Sequence, residues 1–328
     1  MRCVIAVVIL LSALNSRYQD RPSPEPTVLR ASSSRTLGVP DVASSGIKCD
    51  GNGHVFYRIT PPNFSMNDSM VMGLDIKSET PTLYEQPAEY AGKVALIDFS
   101  VTPAGRVWYL DEMRDGGHAA VGFDSDGKAT THTHLDTPKN LLVTRFAVSD
   151  DGSILIGGFF TKDAPSELVG KNYLAFFGRS GALAKDAGPD LPNQDLEAFS
   201  KGAYVSQPVK VGIDGNFYVL NNGVILVMSE GGEIIRRIKF QGPSGNGHVH
   251  NMALSADLLS IEYLVPDSDT QRLRPEFLVL DNTSGAVYSL YRSSEELGNI
   301  CLCFSRRDGY LFSRVEKGKI RLITAPLR

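Results

Sequence analysis

The chain has 328 residues, of which 42% are hydrophobic and 21% charged, a composition that fits a globular core and excludes a disordered chain. Its formal net charge of −4 is close to neutral, and no block of like charge stands out. The charge pattern therefore offers no surface for nucleic acid or for an anionic membrane. The 31 glycines and 18 prolines are spread along the chain, as expected for many tight turns between short strands.

The N-terminus has the features of an export signal. Arg2 precedes an apolar run from Cys3 to Leu14, and this run is shorter than the roughly 20 residues of a membrane-spanning helix. We expect residues 1–16 to be a signal peptide, or an N-terminal anchor if they are not cleaved. Residues 17–26 then form a proline-rich tether, and the protein is predicted to be secreted or periplasmic.

One pattern recurs six times after the tether: apolar residues at alternate positions, a turn that usually contains glycine, and a second β-rich run. The intervals between the turns, from 43 to 63 residues, fit a four-stranded propeller blade of about 40–50 residues. Most copies contain a second hairpin signal, so that two hairpins make the four strands. The six turn positions are Gly53, Gly105, Gly152, Gly215, Leu258 and Gly309.

The sixth copy is one strand short of a full blade, because only the run from Lys319 to Thr324 follows its turn. Either Thr27–Arg30 or the stretch from Leu37 to Val42 is expected to supply the missing outer strand and close the ring. The predicted fold class is therefore all-β: a six-bladed β-propeller with four-stranded antiparallel blades, closed by an N-terminal strand. Residues 27–328 are predicted to form this single domain.

The repeated turn Φ-x-Φ-(D/S)-x-(D/N)-G resembles that of the six-bladed propellers of the NHL-repeat and gluconolactonase-like (senescence-marker-type) group. The resemblance covers nearly the whole chain after the tether and implies the propeller architecture. Lactonases of that group bind a divalent metal in the central channel through a Glu, two Asn and an Asp. No Glu at the start of the first blade matches that set, so the resemblance is carried over for architecture only.

Polar side chains are predicted at the channel mouth, where the outer strand of one blade connects to the inner strand of the next. His248 and His250 form a His-x-His pair before the fifth inner strand; on a strand both would face one side and could share Ca²⁺ or Zn²⁺. Alternatively, the polar groups bond only to loop backbone and water. The predicted ligand-binding residues are His248, His250, Asn251, Asn140, Gln207 and Asn299.

Three cysteines lie beyond the N-terminal segment: Cys49, Cys301 and Cys303. The favoured interpretation is three small buried apolar side chains. The alternative is a disulfide from Cys49 to Cys301 or Cys303, since the first and sixth blades are neighbours in a closed ring.

No sequence motif names a reaction, since nucleophile-elbow, zinc-protease, Walker and Cys-x-x-Cys patterns are all missing. The leading expectation is a monomeric, exported, non-catalytic module without a cofactor, which binds a small molecule or a protein through its channel-mouth loops. The alternative is a divalent-metal-dependent lactonase or esterase-like hydrolase with its site in the channel. Membrane contact is expected only if the N-terminal segment is retained.

Overall fold

A computed structural model of the protein describes residues 25–40, 46–50, 52, 54–59, 69–75, 80–88, 90, 93–187, 208–221, 223–242, 248–266, 273–297, 300–316 and 319–327. The predicted signal segment 1–16 and most of the predicted tether lie outside this part. Within it, no helix has the length and apolar character needed to cross a membrane.

The described strands form six sheets, one for each sequence repeat, preceded by two N-terminal strands. The N-terminal strands are β1 (Thr27–Leu29) and β2 (Ser33–Pro40). Blade 1 contains β3 (Ile47–Cys49), β4 (His54–Ile59), β5 (Met70–Asp75) and β6 (Pro81–Tyr84). Blade 2 contains β7 (Val94–Val101), β8 (Val107–Met113), β9 (His118–Phe123) and β10 (Ala129–Leu135). Blade 3 contains β11 (Leu141–Val148), β12 (Ile154–Phe160), β13 (Asn172–Phe177) and β14 (Leu183–Asp186).

The second half of the ring repeats this order. Blade 4 contains β15 (Val209–Val211), β16 (Phe217–Asn221), β17 (Val224–Met228) and β18 (Ile234–Lys239). Blade 5 contains β19 (His248–Leu254), β20 (Leu258–Pro266), β21 (Leu273–Asp281) and β22 (Val287–Ser293), followed by a short 3₁₀ helix (Glu295–Leu297). Blade 6 contains β23 (Ile300–Ser305), β24 (Gly309–Glu316) and β25 (Lys319–Ala325).

The first strand of each blade is the innermost one. Neighbouring inner strands contact each other around the whole ring, and β23 of blade 6 returns to β3 of blade 1. The inner strands therefore enclose a central channel, and the apolar residues gather in six clusters between neighbouring blades. Trp108 and Tyr109 are both buried, and the Tyr109 hydroxyl accepts the Val71 N–H at 2.6 Å.

The described hairpin turns follow the predicted pattern, and Gly53 lies outside the described residues. Gly105, Gly152, Gly215 and Gly309 all have φ between 78° and 94°, a left-handed conformation that glycine adopts without steric cost. A Cβ at Gly309 would also lie 2.2 Å from the Ala325 carbonyl oxygen. The fifth repeat, which has Leu258 in place of the turn glycine, forms a tighter turn. The Ser255 N–H donates a hydrogen bond to the Leu258 carbonyl oxygen at 2.8 Å, and this turn contains no residue with a left-handed backbone.

Two N-terminal strands join the ring, and the closing strand begins earlier than predicted: β2 starts at Ser33, Pro40 is the one paired residue of the predicted stretch from Leu37 to Val42, and Val42 lies outside the described residues. Strand β2 pairs antiparallel with β25 and becomes the missing outer strand of blade 6, with Ser33 opposite Thr324. Strand β1 pairs parallel with β22, with Thr27 opposite Tyr291, and becomes a fifth strand of blade 5. The predicted ring closure is confirmed, and the pairing of chain start with chain end leaves no free edge on β25.

The interpretation of three unpaired cysteines is wrong. Cys49 and Cys303 form a disulfide between blades 1 and 6 with a Cα–Cα distance of 5.8 Å, a usual separation for this bond. A β-bulge between Cys301 and Cys303 turns the two side chains toward different blade interfaces. Cys301 accordingly stays a free thiol, buried in the core between blades 5 and 6.

Candidate functional site

Four inner strands carry a β-bulge: β7, β11, β19 and β23. A bulge redirects the residue that follows it and interrupts the alternation of side chains. In blades 2, 3 and 5 that residue is polar: Asp98, Arg145 and Asn251. Asp98 and Asn251 make contacts close to the inner strands, whereas the buried Arg145 side chain packs over Gly157 of its own blade.

Lys48 and Asp98 join the inner strands of blades 1 and 2. The Lys48 ammonium lies 2.8 Å from Asp98 Oδ1, and it also donates a hydrogen bond to the Phe99 carbonyl oxygen. The same ammonium stands 4.8 Å from the centre of the Phe99 ring. The side chains keep 23% and 36% of their surface exposed, so this ion pair is half-buried and held by three contacts.

Lys210 lies on the inner strand of the blade opposite Lys48. It is the middle residue of β15 in blade 4, as Lys48 is the middle residue of β3 in blade 1. Its electrostatic neighbours are Lys48, Cys301 and Asp98, which belong to blades 1, 6 and 2. Lys210 is therefore within electrostatic range of groups on three other blades.

The environment of Lys210 disfavours its charged form. Burial by the surrounding protein lowers the pKa of Lys210 to about 8, and the neighbouring Lys48 charge acts in the same direction, while Cys301 and Asp98 oppose it. No residue in the described part of the chain accepts a hydrogen bond from this ammonium. We call Lys48, Asp98 and Lys210 the channel cluster.

His250 and Asn251 lie together on β19, opposite a buried carboxylate. His250 Nδ1 is 3.5 Å from Glu262 Oε1, a long contact between a half-exposed ring and a side chain only 4% exposed. Hydrogen bonding to Glu262 raises the pKa of His250, and burial opposes this effect. The Asn251 Oδ1 accepts the Met252 N–H at 2.8 Å.

The other predicted channel-mouth residues have separate positions. Asn140 has a left-handed backbone, with φ of 61°, and its Nδ2 donates to the Asp163 carbonyl oxygen at 2.9 Å. It holds the backbone of a loop in blade 3, and no described hydrogen bond joins it to His250 or Asn251. Gln207 and Asn299 lie outside the described residues, as does the side chain of His248, so that the shared His248–His250 metal site stays a prediction.

The channel cluster does not fit a divalent cation. Calcium prefers six to eight oxygen ligands, whereas the cluster presents two ammonium groups and a carboxylate already bound to one of them. Across the described part of the chain, no three His, Cys, Asp or Glu side chains are grouped so as to hold a metal. The His250–Glu262 pair supplies two ligand atoms only.

Sequence reasoning did not single out Lys210 or Glu262. A signal for Lys210 was present, because Lys48 and Lys210 each stand five residues before the turn glycine of their repeat, Gly53 and Gly215. When the repeats are aligned on these glycines, both lysines take the same position in the inner strands of their blades. Glu262 carries no such signal, since it lies in a run of buried residues on β20, a central strand of blade 5.

No protein-family model matches the chain, and a search of curated proteins found no match. Among solved structures, regucalcin from Agrobacterium tumefaciens, described as a calcium-binding protein, is 13% identical, with 92% of this chain and 97% of that chain covered and a TM-score of 0.51. The Pan2 WD40 domain of Neurospora crassa is 10% identical, with 94% and 98% covered and a TM-score of 0.47. A gluconolactonase from Xanthomonas campestris is 13% identical, with 94% and 99% covered and a TM-score of 0.46.

At these identities the comparisons bear on the fold alone, and the two with TM-scores below 0.5 carry no argument. The resemblance found in the sequence is confirmed at the level of architecture: the chain is a six-bladed β-propeller and shares that fold with regucalcin.

Proposed function

We propose that the protein is an exported binding propeller that takes a small carboxylate in its central channel, on Lys210 and Lys48. The observation that carries this proposal is the composition of the channel cluster. Two ammonium groups from opposite blades face a single carboxylate, and Asp98 is already paired with Lys48 at 2.8 Å. Within the described part of the chain, no further carboxylate is paired with the second positive charge of the cluster, on Lys210.

A partly buried ammonium without a described acceptor is costly, because it loses hydration and gains no hydrogen bond in exchange. A carboxylate ligand would supply charged acceptor oxygens, and its attraction to Lys210 would be stronger inside the channel than in bulk water. A monoanion also matches the single excess charge. Lys48 is held in place by Asp98 and by the Phe99 carbonyl, so that little side-chain entropy is lost on binding.

Export is the second part of the proposal. The disulfide between Cys49 and Cys303 supports it, since such bonds persist in oxidising compartments and are rare in the cytosol. N-terminal sequencing of protein expressed with residues 1–16 in place tests it. Recovery of a shortened protein outside the cytoplasm is the expected result, and an intact N-terminus in the cytosolic fraction would contradict it.

The second candidate function is the divalent-metal-dependent hydrolase. Two observations favour it: the fold shared with a calcium-binding protein, and the proximity of His250 to the buried Glu262. Elemental analysis and a melting temperature with and without chelator distinguish the two candidates. A stoichiometric Ca²⁺ or Zn²⁺ that is lost together with stability in His250→Ala would establish this candidate instead.

The carboxylate proposal is tested by thermal shift and calorimetry with acetate, glycolate, benzoate and inorganic phosphate. At least one carboxylate is expected to raise the melting temperature of the wild type. Lys210→Met should weaken its binding by about tenfold or more, because a charge-assisted hydrogen bond is lost. The matched control is Lys185→Met, because Lys185 lies on the outermost strand of blade 3, away from the channel, where it pairs with Glu233 of blade 4. Equal binding by both variants, or preference for phosphate, would refute the proposal.

A further inference from the structure

We propose that His132 and His134, on the outermost strand of blade 2, bind a divalent transition-metal ion, with Cu²⁺ preferred over Ni²⁺ and Zn²⁺. The two residues belong neither to the channel cluster nor to the pair of His250 with Glu262. The proposed site is therefore independent of both candidate functions.

The two histidines face the same side of a regular strand. Every residue of β10 from Thr131 to Leu135 pairs with a successive residue of β9, without a shift in register. Side chains of such a strand alternate between its two faces, and residues two positions apart are separated by about 6.8 Å. The burial follows this alternation, because His132 and His134 are exposed whereas Thr133 and Leu135 are buried.

The second His-x-His pair of the sequence, His248 and His250, lies on a strand with a different register. The pairing of β19 shifts between Val249 and Asn251, so that His250 is the extra residue of a β-bulge. A bulge interrupts the alternation that brings residues two positions apart to one face. Strand β10 has no such interruption at its two histidines, and it therefore meets the geometric condition for a shared ion.

A stacking contact holds the first of the two rings. The His132 imidazole lies against the Tyr90 ring, with the ring centroids 4.3 Å apart and the planes at 12°. Tyr90 itself lies in a turn, where its N–H donates to the Pro87 carbonyl oxygen at 2.8 Å. A ring that is already ordered loses less side-chain entropy when it binds. Stacking occupies the face of the ring, whereas its nitrogens bind metals in the ring plane, and a hydrogen bond at one nitrogen leaves the other able to coordinate.

The second ring lies beside a carboxylate. A Cβ at Gly117 would be 3.3 Å from His134 Cε1 and 3.2 Å from Asp115 Oδ1, so these two side chains flank the glycine. The Gly117 N–H donates to the same Asp115 oxygen at 3.0 Å and fixes it there. A negative charge near the ring favours a cation bound to it. Because Asp115 is exposed, this contribution is small, and the two imidazoles supply most of the affinity.

The ligand type selects the class of metal. Imidazole nitrogens bind Cu²⁺, Ni²⁺ and Zn²⁺, whereas Ca²⁺ and Mg²⁺ prefer oxygen ligands. At a given nitrogen site the affinity rises from Ni²⁺ to Cu²⁺ and falls again at Zn²⁺. Two protein ligands leave coordination positions for water, in agreement with the lack of a larger group of metal-binding side chains among the described residues. The proposed site is therefore open, and folding does not depend on it.

The test titrates Cu²⁺ into the full chain, without an affinity tag, and follows binding by calorimetry and electron paramagnetic resonance. The wild type is expected to bind Cu²⁺ through nitrogen ligands. His132→Gln and His134→Gln should each weaken this binding at least about tenfold, because a second linked ligand acts through its effective concentration. Both positions are exposed, so the melting temperatures should stay close to that of the wild type. Ni²⁺ should bind more weakly than Cu²⁺ and show the same loss in both variants.

The matched control is His54→Gln. His54 is also a half-exposed histidine at a strand, with the Asp50 carboxylate 2.6 Å from its Nδ1, but Phe56 stands two positions further on in place of a second histidine. This variant should bind Cu²⁺ with the wild-type affinity. Wild-type binding in the double variant of His132→Gln and His134→Gln would overturn the proposal. A loss that occurs only in His250→Gln would overturn it as well, and neither result affects carboxylate binding measured without metal.

Discussion

At the scale of single residues, Asp111 is a buried acidic residue outside the channel cluster. It lies on β8 with 1% of its surface exposed. Its Oδ1 accepts a hydrogen bond from Gln86 Nε2 at 2.7 Å, whereas Asp111 Oδ2 and Gln86 Oε1 have no described partner. Burial raises the pKa of Asp111 to about 7, and the bond from Gln86 opposes this. A proton on Oδ2 would serve Gln86 Oε1 and leave neither oxygen without a partner.

This position predicts a stability that falls as pH rises. The pKa of Asp111 is about 7 in the folded protein and near 3.8 in the unfolded chain, so the folded state binds more protons between these values. The contribution of Asp111 to stability is therefore greatest below pH 3.8 and is lost as the pH rises through 7. Urea unfolding at pH 5 and 8 should show Asp111→Asn to be the more stable protein at pH 8, by on the order of 2–4 kcal/mol.

The control for this experiment is Asp126→Asn, in an exposed turn residue of the same blade. It should unfold like the wild type at both pH values. If the free energy of unfolding of Asp111→Asn changes between pH 5 and 8 as much as that of the wild type, Asp111 does not titrate in this range.

At the scale of elements, the first strand of the chain has a structural role disproportionate to its length. Strand β1 pairs with β22 over Thr27–Leu29 only, yet Leu29 is 2% exposed and packs into the core between blades 5 and 6. The preceding residue, Val28, faces the other side of the strand and is 44% exposed. A three-residue strand with one buried anchor therefore joins the chain start to blade 5.

The pair Leu29→Ala and Val28→Ala tests this role on one strand. Leu29→Ala should lower the free energy of unfolding by about 2–4 kcal/mol, because it leaves a cavity in a packed core. Val28→Ala should cost less than about 0.5 kcal/mol, as is usual for exposed positions. Equal effects in chemical denaturation would mean that β1 does not pack against this core in solution.

At the scale of the whole molecule, the sequence predicted the ring and its closure, because each blade has its own turn signals. Gly105, Gly152 and Gly215 mark hairpins through local backbone requirements that need no knowledge of the rest of the chain. Properties of the channel depend instead on contacts across the ring. The position of Lys210 near Asp98 follows from the order of the blades, and the contact of Glu262 with His250 follows from the pairing of β19 with β20.

The disulfide belongs to the same scale, since it links the first inner strand to the last. Replacing both Cys49 and Cys303 by Ser should lower the free energy of unfolding by about 2–5 kcal/mol, mainly by freeing the unfolded chain. Differential scanning calorimetry measures the effect. Cys301→Ser leaves the bond in place, so its stability should still fall when reductant is added, unlike that of the double variant. A wild type whose stability does not change with reductant would contradict the bond.

The bond between Cys49 and Cys303 has a topological consequence, because 254 positions of sequence separate the two residues. The backbone between them and the bond itself make one covalent circle that contains strands from all six blades. A protease that cuts this circle once releases no fragment until the bond is reduced, whereas a cut in the segment before Cys49 can detach β1 and β2 alone. Limited digestion run with and without reductant would therefore sort nicks by whether they fall inside or outside the circle.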